Sequence, residues 1–194
     1  MKIKNLLAVT FLLFVISGTY AQEDDFQTIF GGKELRISGF GGPMMDFSTF
    51  DGQFAHFMGG GGGLLLNDFF IGGYGMGKTN TINTISGYRL EMGFGGLWTG
   101  YTFFSKRAIH PVIHLQTGWG DLHTTREIGG EAIEKDVFFV LQPVVELEMN
   151  FTSFFKLGIG GSYRLVSGVE MLGYTDAELS SPGGFISLKF GWFE

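Results

Sequence analysis

The sequence contains no cysteine, which excludes disulfides, thiolate metal sites, a cysteine nucleophile and the lipid-bearing cysteine of an acylated N-terminus. Proline is scarce, at 4 of 194 residues, and no Gly-X-Y period is present, so the 33 glycines do not mark a collagen. Basic residues are outnumbered, 13 against 19 acidic, for a net charge of −6. Such a chain lacks the clustered cations that neutralise nucleic-acid phosphate. Beyond the first residues there is no long apolar run, so no later segment is a candidate membrane-spanning helix. Helical periodicity is sparse as well, yet 44% of the residues are hydrophobic, which excludes disorder.

What is present begins with MKIKNLLAVTFLLFVISGTYAQ, expected to be a cleaved secretory signal at residues 1–21. Lys2 and Lys4 form the charged region, Leu6 to Ile16 the apolar region, and Thr19-Tyr20-Ala21 the small-x-small site before Gln22. Cleavage leaves 194 − 21 = 173 residues with a charge of (13 − 2) − 19 = −8. Residues 22–32 are then an N-terminal periplasmic segment, and 33–194 a single barrel domain.

Period-two alternation recurs through that domain. In VLQPVVELEMNF, Leu141, Pro143, Val145, Leu147, Met149 and Phe151 share one face, against Gln142, Val144, Glu146, Glu148 and Asn150. FKLGIGGSYRLV, IHPVIHLQTGWG and FISLKFGW repeat the pattern. With weaker, glycine-interrupted runs this gives eight strands, near 34–47, 53–66, 69–78, 87–104, 108–120, 136–150, 154–167 and 183–193. Connections two, four and six are short, whereas two of those on the other side run long. An even strand count with short turns at one end and longer loops at the other predicts an all-β, transmembrane up-and-down antiparallel barrel.

The aromatics fit such a placement. Phe69, Phe70, Phe103, Phe104, Phe151, Phe154, Phe155, Trp192 and Phe193 fall at the short-turn ends and form a candidate periplasmic-side girdle. Tyr88, Trp119 and Phe139 are candidates for the opposite girdle. Eight strands enclose an interior narrow enough for side chains to fill, so glycine-rich inward positions are expected. The five consecutive glycines from Gly59 to Gly63 are not explained by this pattern alone.

Several motifs compete with the barrel reading. GGYGMGKT matches the nucleotide-binding loop pattern at Gly72, Gly77, Lys78 and Thr79. That loop requires a following helix, and NTINTISGYRLEMGFGG has no apolar stripe at helical spacing, so no nucleotide is expected. His110 and His114 would converge on a metal if helical; on a strand they stand about 13 Å apart at about 3.3 Å per residue, and no metal or other cofactor is implied. Eight charged residues fall on faces assigned inward: Arg36, Arg89, Glu91, Glu146, Glu148, Lys156, Arg164 and Lys189. They are expected to pair as an interior plug, since unpaired buried charge is prohibitive. Catalysis would need a serine beside a histidine, and neither His56 nor His123 has one nearby in sequence. The outer loops carry Asp121, Glu127, Glu131, Glu134, Glu170, Asp176 and Glu178, a solvated acidic surface with the capacity to hold divalent cations against lipopolysaccharide phosphates or to meet a basic partner.

On the signal ending TYAQ, the alternation, the tight turns and the aromatic ending KFGWF, the chain resembles the small eight-stranded outer-membrane β-barrel proteins of Gram-negative bacteria over residues 33–193. The resemblance implies residence in the outer membrane among lipid and lipopolysaccharide, as a monomer, and an ending recognised by the barrel-insertion machinery. It supplies no active-site motif. The expected role is structural, or recognition through the outer loops. Rival readings are an enzyme modifying outer-membrane lipid, a small-solute pore and a soluble periplasmic ligand-binding barrel; fold does not choose among them.

Overall fold

A computed structural model describes residues 35–50, 52–80, 82–83, 89–125, 134–171 and 173–193. The expected signal and periplasmic segment lie outside the described residues, as do Tyr88, Glu127 and Glu131. The chain forms eight long strands: β1 (Ile37–Phe50), β2 (Gln53–Leu66), β3 (Phe69–Lys78), β4 (Arg89–Thr102), β5 (Ile109–Thr125), β6 (Glu134–Asn150), β7 (Phe155–Ser167) and β8 (Ser181–Gly191). Every pairing is antiparallel. The sheet runs β3-β2-β1-β8-β7-β6-β5-β4, and β3 also pairs with β4, closing it into an up-and-down barrel. A two-residue strand, Ile82–Asn83, pairs antiparallel with Arg89 and Leu90 of β4, and a short helix, α1 (Asp176–Leu179), precedes β8.

At the end we call lower, tight turns reverse the chain. Asn67 adopts the left-handed conformation (φ 58°) between β2 and β3, and its Oδ1 accepts from the Arg36 amide at 3.0 Å. Upper connections include the two-residue β1–β2 turn, where Gly52 has φ 69°. The strands β5 and β6 run higher than alternation predicts, through Thr125 and from Glu134. Asp121 and Glu134 therefore sit in paired strands and not in loops, as Gly93↔Asp121 and Thr124↔Glu134 register pairs. Above the apolar belt the outward face of these strands becomes polar, as at Asp121, His123 and Lys135, which weakens the hydropathy signal although the ladder continues.

Two halves fill the interior differently. Along β1–β4 it is apolar apart from Asp46, Ser48 and Thr102: Trp98 meets Phe40 and Phe70 edge-on at 5.3 and 5.2 Å between ring centroids. Facing these rings is the glycine run. Gly59, Gly61 and Gly63 share the inward face with Ala55 and Phe57, and a Cβ on Gly61 would lie 2.9 Å from both Met44 Cε and the Trp98 ring. Gly61 thus makes room for the tryptophan in a narrow barrel, whereas a Cβ on Gly59 or Gly63 would meet the β3 backbone at the Gly75 or Ile71 carbonyl, so these two permit close approach of the strands. Along β5–β8 the interior carries most of the buried charge, beside apolar side chains such as Val140, Val144 and Phe185.

Candidate functional site: the buried charge cluster and the two rims

Glu148 on β6 is the hub of the lower interior. Its Oε1 accepts from Lys156 Nζ on β7 at 3.0 Å and its Oε2 from Lys189 Nζ on β8 at 2.7 Å. His110 Nε2 on β5 lies 3.0 Å from Oε1, while His110 Nδ1 faces the Arg107 carbonyl at 2.9 Å. Two residues higher, Glu146 Oε2 lies 3.5 Å from Lys189 Nζ and 3.4 Å from His114 Nε2. The Trp98 indole donates to His114 Nδ1 at 3.0 Å, so that nitrogen is an acceptor and the His114 proton sits on Nε2, toward Glu146. The two histidines thus serve different carboxylates at different heights.

A second polar group lies above. Arg164 Nη1 is 3.7 Å from Asp46 Oδ1 and donates to Ser48 Oγ at 3.0 Å. Its other nitrogens donate to the Leu179 and Thr49 carbonyls at 3.0 Å each, and its guanidinium stacks over Phe57 at 4.4 Å. Asp46 Oδ2 accepts from Gln142 Nε2 at 2.9 Å and from the Ser162 hydroxyl. Asp46, Glu146, Glu148, Lys156, Arg164 and Lys189 are all buried, three charges of each sign.

The remaining residues assigned inward lie elsewhere. Arg36 is exposed beside the Asn67 turn. Arg89 and Glu91 face outward, because on β4 the buried positions are Leu90, Met92, Phe94 and Trp98. The apolar face points in on this strand, opposite to β5–β8, so a rule placing charge inside fails here. Glu91 instead meets His123 Nε2 at 3.3 Å, and His123 Nδ1 meets Asp121 at 2.9 Å. Asp46 lies within the strand expected at 34–47 but is absent from the residues assigned inward; its parity with Met44 and Ser48 is the signal that places it there.

Outward aromatics mark both rims. At the lower rim Phe154 packs on Trp192 at 5.9 Å and Phe155 stacks on Phe190 at 5.0 Å; Phe69, Phe103, Phe104 and Phe151 join that level. Phe70 and Phe193 depart from the expected girdle. Alternation sends Phe70 inward, where it is 1% exposed, and Phe193 turns inside over Lys156 at 4.4 Å. At the upper rim Trp119 meets Phe139 at 5.7 Å. Between Ile109 and Trp119, ten residues at about 3.3 Å and a tilt near 40° span about 25 Å. Outward positions in this band are apolar and exposed, including Ile113, Leu115, Val145, Leu147 and Ile159.

Above Phe139, the segment between β7 and β8 folds against the barrel mouth. Asp136 Oδ2 accepts from the Glu170 and Met171 amides at 2.6 and 2.8 Å. Asp176 Oδ1 accepts from the Val169 amide at 2.9 Å, and Glu178 Oε2 from the Thr175 amide at 2.7 Å. Met171 and Leu179 are buried beneath, with Tyr174 edge-on to Phe50 at 5.5 Å. Several acidic side chains of this end are thus committed to backbone or histidine, and among the described residues no group of three or more His, Asp or Glu is placed to hold a metal.

The Glu170 amide first, with those of Val137 and Met171, holds the Asp136 carboxyl below its ordinary 3.8 against a smaller opposing effect of burial. A depressed folded value means the latch is fully engaged above 3.8 and released as pH falls through the lower folded value. Amide-exchange protection of Glu170 and Met171, corrected for intrinsic rate, is expected to stay constant from neutral pH to about 4 and to fall below it. Asp136→Ala should lose that protection at neutral pH. Protection unaltered by either change would mean the latch holds nothing.

The motif GGYGMGKT lies in β3 from Gly72 to Lys78, paired with strands on both sides, and Thr79 just beyond the strand places its Oγ1 2.6 Å from His56 Nδ1. Among the described residues no serine hydroxyl hydrogen-bonds a histidine, and no helix is long and apolar enough to cross a membrane, which says nothing of crossing by strands.

No protein-family model matches the sequence, and no curated protein matches it. Solved structures do match in fold. One is Neisserial surface protein A, at TM-score 0.57 and 11% identity, over 84% of this chain and 100% of that one. Another is the N-terminal β-barrel domain of Pseudomonas aeruginosa OprF, at TM-score 0.53 and 13% identity, over 82% and 100%. Closure, strand count and these likenesses agree: by architecture the chain is a small eight-stranded antiparallel β-barrel of the outer-membrane type.

Proposed function

We propose that the protein is an integral outer-membrane barrel, exported through its N-terminal segment, monomeric and closed inside, with a structural or surface-recognition role at its upper end. The observation that carries this is the outward apolar band of about 25 Å between two aromatic rims, on a closed barrel with no free sheet edge. In water such a continuous exposed apolar surface is a liability; in lipid it is the expected exterior. The balanced interior charges support a plug, since each buried cation faces a carboxylate and each carboxylate a cation.

The test is cell fractionation followed by gel electrophoresis with and without boiling. Recovery in the outer-membrane fraction with a faster unboiled band is expected, together with no current steps when the purified barrel is added to planar bilayers. Protein confined to the periplasmic fraction would overturn the membrane reading, and reproducible steps would overturn the plug.

A further inference from the structure

We propose that the lower rim of the barrel carries a binding surface for the headgroups of anionic phospholipid, centred on the Phe104–Arg107 turn. The inference rests on the transmembrane reading and adds a ligand class to it. Among the described residues of this rim the charged side chains are Arg36, Lys106, Arg107 and Asp68. The single carboxylate, on Asp68, is already engaged by the Ser105 hydroxyl. The three cations are exposed, and none forms an ion pair among the described residues. Beyond the opposite rim the described charges are predominantly acidic, so the barrel presents cations at one end and carboxylates at the other.

The cationic turn is also held rigidly. Asn150 Nδ2 donates to the Ser105 and Arg107 carbonyls at 3.0 and 2.9 Å, and the Asn150 amide donates to the Ala108 carbonyl at 2.9 Å. The Arg107 amide closes the turn on the Phe104 carbonyl at 2.8 Å. The Arg107 guanidinium lies over the exposed Phe104 ring at 4.8 Å, leaving its N–H fork open to an acceptor. With Phe103 and Phe104 exposed beside them, the two cations stand where an aromatic belt meets the headgroup layer. A long basic side chain at that level extends toward phosphate, and the guanidinium fork suits a phosphate's oxygens. An acidic protein segment would satisfy the charge but gives no reason for the flanking exposed phenylalanines.

The full chain is refolded into phosphatidylcholine vesicles containing a minor fraction of phosphatidylglycerol, and the lipid retained by the extracted protein is measured by native mass spectrometry. Each basic residue near an anionic surface favours it by about fivefold. With two such residues in the turn, the unmodified protein should therefore retain phosphatidylglycerol over phosphatidylcholine by about 25-fold. K106Q/R107Q should lose most of this preference, while K135Q, at the opposite end, should keep it. The unboiled gel shift, measured for each variant, separates loss of the site from loss of the fold. Absence of preference in the unmodified protein, or its persistence in K106Q/R107Q, would overturn the proposal. Failure of a folded barrel to float with the vesicles would overturn the transmembrane reading first, and this one with it.

Discussion

Replacement of Glu148 by alanine is expected to lower the unfolding free energy of the barrel in micelles by about 3–5 kcal/mol, read as a shift in the urea midpoint. Glu148 alone answers Lys156 and is the nearer partner of Lys189. Without it two ammonium groups remain buried beside each other, with only Glu146, 3.5 Å from Lys189, to offset them. The penalty is that of uncompensated buried charge, which exceeds the worth of any one contact. The paired variant E148M/K156M should lose much less, because Glu146 is left against Lys189 at 3.5 Å and Asp46 against Arg164, keeping the interior neutral. A loss of under about 1 kcal/mol in E148A would place the cluster in contact with bulk water and remove the argument for a plug.

Trp98→Ala is expected to cost about 3–5 kcal/mol by the same measurement. Trp98 is 1% exposed and is the meeting point of Phe40, Phe70 and His114. Its removal opens a cavity against a wall of glycines that cannot fill it, and takes away the donor to His114 Nδ1. Gly61→Leu by itself should also destabilise, since even a Cβ there meets the indole at 2.9 Å. In the Trp98→Ala background the contact with the indole is gone while that with the Gly73 carbonyl at 2.8 Å stays, so the double variant should lose less than the sum of the two single losses. Additive losses in the double variant would mean that the glycine run and the indole do not share the space described.

Much of the polar half was legible from hydropathy parity. On β6 the apolar Leu141, Pro143, Val145 and Leu147 set the outward face, so Glu146 and Glu148 had to point inward, and β7 and β8 repeat the logic for Lys156, Arg164 and Lys189. The bounds of β2 and β3 were equally readable, at 53–66 and 69–78, because the Asn67-Asp68 turn separates them. Parity failed on β4. There glycines occupy many positions and have no side chain to declare a face, so Arg89 and Glu91 could not be distinguished from interior charges. Likewise Phe70 and Phe193 were grouped by their place along the chain, whereas direction depends on register.

By itself, the sequence determined the strand class, the count of eight and the approximate turns, since alternation and turn chemistry are local properties of the chain. Only the tertiary structure decided which charges meet, that Trp98 occupies the space left by Gly61, and that the segment before β8 latches onto Asp136. Those outcomes depend on the register in which distant strands close the cylinder, and a one-residue change of register exchanges every inward side chain for an outward one.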